Sequence, residues 1–327
     1  MAEKTLVQTI HDTLFDEMKR DDRVLVLGED VGARGGVFRV TMGFLDEFGP
    51  ERVIDTPLDE CLIAGVSIGM AVDGLRPVAE MQFADFIFPA FNQIVQEAAR
   101  IRYRSNGDFG CPLVIRTPYG GGVHGALYHS QSIEAFFAHV PGLKVVAPSA
   151  PEDAKGMLIQ AIEDEDPVIF LEHKKCYRSI KGEVPDDRYR TPFGKAVVRR
   201  EGTDLTVVSY GLMHHYAVEA AERLAGDGID TEVIDLRSIY PLDMETVLGS
   251  VGKTSKVMIV YEDNKFLGAG AEVAAQIAER ALFELDAPVV RIGGAHIPAM
   301  PYAGSLESAF LPTADTLEQE IRKLAEY

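Results

Sequence analysis

Lys144-Val-Val-Ala147, then Glu152-Asp-Ala-Lys-Gly-Met-Leu-Ile-Gln-Ala-Ile162, then Val168-Ile-Phe-Leu171 follow one another closely in the chain. The outer two stretches are short apolar runs of the kind a strand buried on both faces requires. The middle one reads as a helix between them. Strand, helix, strand is the βαβ unit, and it repeats outward in both directions. Upstream, Leu6, Val7, Ile10, Leu14, Phe15 and Met18 share one helical face, and residues 24–27 form a buried strand that exits at Gly28-Glu29-Asp30. Residues 58–72 carry Ala64, Gly65, Ser67, Gly69 and Ala71, small side chains that let another backbone approach, so a packed helix is predicted there. Residues 77–81 and 113–116 read as strands, and 83–104 as a long helix interrupted near Pro89. The fold class predicted is α/β, with mostly parallel sheets covered on both faces.

Residues 181–190, Lys-Gly-Glu-Val-Pro-Asp-Asp-Arg-Tyr-Arg, are polar and turn-prone and break the rhythm. A second α/β series follows, with strands at 205–209, 231–235, 257–261 and 289–292. Helices are predicted near 216–224, 244–251, 270–285 and 316–324. Two domains are therefore expected: residues 1–185 and 201–327, joined by a linker at 186–200. A chain of 327 residues suits two domains.

Composition narrows the function. Hydrophobic residues make up 46% and charged residues 25%, so the chain is neither disordered nor collagen-like. Its net charge of −19 argues against nucleic acid or an anionic membrane surface as partner and favours a basic protein. No apolar run approaches the ~18 residues of a membrane span. No signal peptide is visible, and Cys61, Cys111 and Cys176 are widely spaced, as free thiols in a reducing cytoplasm would be.

Three glycine segments nearly match nucleotide motifs. Gly249-Ser-Val-Gly-Lys-Thr254 has Val247 where a phosphate loop needs glycine, and it precedes a strand instead of following one. Gly268-Ala-Gly-Ala-Glu-Val273 lacks the third glycine of a dinucleotide fingerprint and reads as a helix start, which disfavours a nicotinamide oxidoreductase. Gly226-Asp-Gly228 begins like a thiamine diphosphate magnesium motif, but Asn264 is too far away to complete it, and a helix stop is the better description.

Two segments carry chemistry. In Asp55-Thr-Pro-Leu-Asp-Glu60, Thr56 is the expected N-cap, Pro57 the first helical residue, and Asp59 and Glu60 lie in the first turn. Acids there stabilise a helix dipole; they would equally hold a cofactor at the helix start. In Gly120-Gly-Gly-Val-His-Gly-Ala-Leu-Tyr-His-Ser-Gln-Ser132, two histidines, a tyrosine and polar residues follow a triple glycine. It is either a reactive loop on an α/β frame or a mobile one with solvated histidines.

At these residues the chain resembles the β subunit of the thiamine-diphosphate-dependent dehydrogenase component of 2-oxo acid dehydrogenase complexes. The similarity runs through Leu27-Gly-Glu-Asp-Val31, Gly35-Gly-Val-Phe38, Arg52-Val-Ile-Asp-Thr-Pro57 and Arg76-Pro-Val-Ala-Glu80. It continues in Gln82-Phe-Ala-Asp-Phe-Ile-Phe-Pro-Ala-Phe91, Tyr103-Arg-Ser105, His129-Ser-Gln131, Pro141-Gly-Leu-Lys-Val-Val146 and Asp153-Ala-Lys-Gly156. Glu232-Val-Ile-Asp-Leu-Arg237, Pro241-Leu-Asp243 and residues 298–302 extend it over nearly the whole chain.

The resemblance implies a pyrimidine-binding domain followed by a transketolase C-terminal-like domain. It implies thiamine diphosphate shared with an α subunit, which holds the diphosphate and magnesium, in an α2β2 heterotetramer. It also implies a dihydrolipoyl acyltransferase core, reached through its subunit-binding and lipoyl domains. By the same resemblance Glu60 bonds the aminopyrimidine ring, and Glu29, Leu58, Asp59, Gln82 and Phe86 line the cofactor. Phe86, Ile87, Phe88 and Pro89 flank the substrate, His129 donates a proton during transfer to lipoyl, and His124 shapes the loop. A structural potassium is implied at Ala161, Asp164 and Asp166 with the carbonyls of Leu113 and Val114, though these residues also suit a plain acidic helix end. The blocks at residues 82–91 and 125–129 look most like the branched-chain type. Pyruvate and acetoin dehydrogenases are the alternatives, and a non-catalytic scaffold is disfavoured by intact Glu60 and His129.

Overall fold

Thr5 ends one element and starts the next. β1 (Ala2–Thr5) passes into α1 (Leu6–Arg20), where the Thr5 hydroxyl oxygen accepts from the Gln8 N–H and the Gln8 side chain accepts from the Thr5 N–H. Leu6, Ile10, Leu14 and Met18 face the core, and Lys19 and Arg20 sit at the negative end of the helix dipole. β2 (Val24–Gly28) is buried throughout, as a strand covered on both faces must be. The computed structural model describes residues 1–327.

The chain continues through α2 (Phe44–Phe48), β3 (Val53–Asp55), α3 (Glu60–Val72), β4 (Arg76–Glu80), α4 (Ile101–Arg104) and β5 (Val114–Tyr119). Then follow α5 (Glu134–Ala138), β6 (Lys144–Val146), α6 (Pro151–Glu163), β7 (Val168–His173), α7 (Cys176–Ser179) and β8 (Lys181–Val184). The remainder is β9 (Val197–Arg200), β10 (Leu205–Ser209), α8 (Gly211–Ala225), β11 (Thr231–Asp235), β12 (Ser238–Tyr240) and α9 (Met244–Thr254), then β13 (Val257–Asn264), α10 (Ala269–Ala281), β14 (Val290–Gly294), α11 (Gly304–Phe310) and α12 (Ala314–Ala325). No helix is long and apolar enough to cross a membrane.

Packing divides the chain into two units, residues 1–119 with 136–193 and residues 120–135 with 194–327. In the first, six parallel strands lie in the order β6-β7-β5-β4-β2-β3. From β2 the chain steps one way to β3. It then crosses back through α3 to β4 on the other side. The ends of β2 and β4 are thus a topological switch point, where diverging loops open a crevice. In the second unit the order is β14-β13-β10-β11-β9, parallel except for the edge strand β9.

Several expectations are corrected. α3 begins at Glu60, not Pro57: Thr56 is still held by the strand layer through its N–H to the Gly28 carbonyl, and Asp59 in extended geometry caps the Leu62 N–H. Residues 83–104 form no continuous helix. Two 3₁₀ turns, one carrying Pro89, lead to a π turn at Gln93–Glu97, another 3₁₀ turn and α4. Residues 181–184, polar enough to read as part of a break, are a strand, β8, antiparallel to β1 with Ala2 opposite Val184. Residues 120–135 pack with the second unit, which their position in the chain does not suggest.

Beneath the switch point lies a buried ionic cluster. Arg116 on β5 donates Nη1 to Glu80 on β4 and pairs in bidentate fashion with Glu172 on β7, at 2.8 and 2.6 Å. The Tyr177 hydroxyl donates to Glu172 at 2.5 Å. All four side chains are excluded from solvent. Burial pushes the Glu80 carboxyl upward and Arg116 opposes that shift. Replacing Arg116 by Met would strand two buried acids, and we expect a loss of about 3–5 kcal/mol, read as a fall in the urea unfolding midpoint. An unchanged midpoint would contradict this role.

Candidate active site

Glu29 leaves the end of β2 directly into the crevice. Gly28, at φ +156°, has the Glu80 carbonyl only 2.7 Å from where a Cβ would stand, so the two strand ends close without a side chain between them. The loop beyond folds on itself: Gly36 donates to the Asp30 carbonyl at 2.8 Å and the Thr41 hydroxyl to the Val31 carbonyl at 2.6 Å. Gly32 N–H donates to Asp55 Oδ1 at 2.7 Å, tying the loop to the end of β3. Glu29 is 7% exposed and its Oε1 has no hydrogen-bond partner. Burial raises its carboxyl to about 7, with repulsion from Glu60 and Asp30 adding to the shift.

Glu60, 8% exposed, opens α3. Asp59 ahead of it is spent on capping, and Leu58 stands 81% exposed. Gln82, just past β4, donates Nε2 to the Glu29 carbonyl at 3.4 Å, so it bridges the two strand exits. Phe86 is half-buried and meets Phe83 edge-on at 5.6 Å; Phe83 in turn packs on Phe38. Phe88 packs edge-on against Phe136, and Pro89 is exposed. Ile87 departs from the sequence expectation. It is fully buried, so it serves the core and cannot touch a substrate by its side chain.

The residues expected to hold potassium have partners within the protein. Lys144 places its ammonium 2.6 and 2.7 Å from the two Asp164 oxygens, and Arg102 pairs with Asp166 at 2.5 Å. Arg76 donates to the Asp164 carbonyl, the Leu113 carbonyl accepts from Val168 and the Ala161 carbonyl accepts from Asp164. Val114 lies buried in β5. Protein cations thus pair with both carboxylates. No group of three or more His, Cys, Asp or Glu side chains is arranged to hold a metal ion.

In the second unit, His129 follows the 3₁₀ turn Ala126–Tyr128 and is half-buried. His124 is exposed, with Nδ1 2.6 Å from Glu307. Residues the sequence does not single out surround this loop. Glu262 and Glu307, both buried, accept hydrogen bonds from its backbone. Glu134, buried beside Asp263 and Glu262, is pushed up to about 8 by burial and accepts from the Tyr210 hydroxyl at 2.7 Å.

The three glycine segments are structural. Gly249–Thr254 lies inside α9, Gly226 caps α8, and Gly268 is the N-cap of α10.

Fold and crevice together define a chain of the transketolase type. Residues 3–179 match the transketolase pyrimidine-binding domain and residues 194–317 the transketolase C-terminal domain. A solved structure described as a split-gene transketolase, inactive beta4 tetramer, is similar with a TM-score of 0.79 and 25% identity over 98% of each chain. The 2-oxoisovalerate dehydrogenase subunit beta of Bacillus subtilis (strain 168) is 58% identical over 327 residues, the whole of both chains. The pyruvate dehydrogenase E1 component subunit beta of the same strain is 47% identical over the same full length. The chain belongs to the family of 2-oxo acid dehydrogenase β subunits.

The raised Glu29 carboxyl has a consequence for stability. Its folded value of about 7 exceeds the ordinary 4.5, so folding favours the protonated form. Its contribution is complete below pH 4.5 and is lost as pH rises through 7. Glu29→Gln mimics the protonated acid. It should melt above the parent at pH 8, by a margin that shrinks toward pH 5. An equal margin at both pH values would contradict the shift.

Proposed function

We propose that the chain is the β subunit of a branched-chain 2-oxo acid dehydrogenase, working with an α subunit in an α2β2 heterotetramer. The observation that carries this is the pair of buried carboxylates at the switch point, Glu29 with an unpartnered oxygen and Glu60 at a helix start. Buried acids with no cation beside them suit an aminopyrimidine, which supplies a proton-exchanging nitrogen and an amine. The residues present therefore fit the pyrimidine half of thiamine diphosphate. When bound, that cofactor supplies the carbanion chemistry for decarboxylating a 2-oxo acid.

This chain's own residues would then act as follows. Glu60 shares a proton with the aminopyrimidine ring nitrogen, and Gln82 and Phe86 fix and cover the ring. Glu29, held near neutrality, keeps a proton beside Glu60. Leu58 and Asp59 border the cofactor, while Phe86, Phe88 and Pro89 flank the substrate. His129 donates a proton to the departing sulfur as acyl passes to lipoyl.

The structural roles of the three glycine segments support a separate chain as holder of the diphosphate and magnesium. The lipoyl group would come from a dihydrolipoyl acyltransferase core, docked through its subunit-binding and lipoyl domains. Cys61, Cys111 and Cys176 are free thiols, which suits the cytoplasm.

The test is decarboxylation by the chain co-expressed with its α subunit. We expect higher kcat/KM for 2-oxoisovalerate than for pyruvate. Apolar contacts discriminate by only about 1–3 kcal/mol per methylene, so the preference is expected to be moderate. Higher efficiency with pyruvate would contradict the branched-chain assignment. No decarboxylation of any 2-oxo acid would contradict the catalytic one.

A further inference from the structure

The loop at residues 120–132 adopts conformations that are costly to hold. Gly120 and Gly122 have φ of +82° and +79°, and His124 and Ala126, which carry side chains, are both at +57°. A left-handed non-glycine residue costs roughly 1–2 kcal/mol. Such a run persists only where its surroundings over-determine it.

Two buried carboxylates do so. Glu307 on α11, 2% exposed, accepts from the Gly122 N–H at 2.9 Å and the His124 N–H at 3.3 Å through Oε1. Its Oε2 meets His124 Nδ1 at 2.6 Å. Glu262, on β13, accepts from the Gly121 N–H at 2.5 Å. Three backbone donors of the loop, on Gly121, Gly122 and His124, thus end on buried acids 141 to 185 residues away.

The clamp reaches His129 through glycine contacts. A Cβ on Gly121 would lie 2.7 Å from Met300 Cε, so the clamped arm sits directly on the segment before α11. A Cβ on Gly125 would lie 2.5 Å from the His129 carbonyl oxygen and 2.8 Å from the His129 Cβ. The arm and His129 are therefore packed backbone to backbone, and neither can shift alone.

We infer that Glu307 is a positioning residue for His129: its carboxylate holds the strained arm at Gly122 and His124, and that arm sets where His129 stands. This rests on the role proposed above for His129, and the experiment separates the two. Glu307→Ala, Glu307→Gln and His129→Ala are each assembled with the α subunit. Each is assayed with lipoyl domain and with an artificial oxidant that does not require acyl transfer. Hydrogen exchange is followed in the peptide spanning residues 120–132.

Glu307→Ala should lower the lipoyl-dependent rate by about 10²-fold, the scale of a ~1 Å misplacement, while the artificial-oxidant rate changes little. Adding His129→Ala to Glu307→Ala should cost little beyond His129→Ala alone, because both changes disable one device. Exchange in residues 120–132 should accelerate without loss of the melting transition. Glu307→Gln is nearly isosteric and keeps an oxygen for the two N–H groups. It should fold and fall between parent and Glu307→Ala in both rate and exchange. If His129→Ala separates the two assays but neither Glu307 variant does, the inference is overturned. If His129→Ala does not separate them, the role of His129 fails, and the exchange result alone decides the clamp: acceleration supports it and unchanged exchange overturns it.

Discussion

Arg116 is buried between two carboxylates, and the crevice of the first unit depends on that placement. A guanidinium without its partners would be prohibitive at this depth, and so would either acid without the guanidinium. Together they join β4, β5 and β7 near their C-terminal ends, and Tyr177 completes the hydrogen bonding of Glu172. Glu80 is then fixed under the loop that follows β2. A Cβ on Gly36 would approach a Glu80 carboxylate oxygen to 2.8 Å, and one on Gly28 would meet its carbonyl. The loop can cross only with glycine at those points, and in crossing it leaves Glu29 buried beside Glu60.

This arrangement separates two kinds of buried acid. Glu80 and Glu172 face a cation and stay structural. Glu29 has none, and burial leaves it holding a proton near neutral pH. A carboxyl that titrates near the working pH can hold or release a proton there. The same contrast recurs in the second unit. There Glu307 is satisfied by two backbone donors and His124, whereas Glu134 is pushed up to about 8 by burial among other acids.

Much of the frame was legible in the residues. Apolar runs placed β10 and β11 at the bounds the structure gives, and the stripe through Leu6, Ile10 and Leu14 placed α1. Glu60 was legible at a helix start, although the cap proved to be Asp59 because Thr56 remains bonded to the strand layer. The failures share a cause, which is partners distant in sequence. β8 exists because β1 lies beside it. Lys144 reaches Asp164 from the start of β6 to the loop after α6, an ion pair that no local pattern announces. Ile87 shares its segment with exposed Pro89 yet turns into the core, since the expected helix there breaks into short turns. The clamp on residues 120–124 leaves no local pattern, because a lone Glu307 in a polar stretch looks like any surface acid.

The central claim is that Glu60 exchanges a proton with the cofactor's pyrimidine. It is tested most directly by the rate of deuterium exchange at the thiazolium C2 position, measured in the assembled enzyme with Glu60 or with Glu60→Gln. The substitution is nearly isosteric and leaves the Asp59 cap in place, so fold and cofactor affinity should be retained. Exchange should slow by about 10²–10⁴-fold, the range of general acid–base contributions. Exchange at the parent rate, with cofactor bound, would contradict the account.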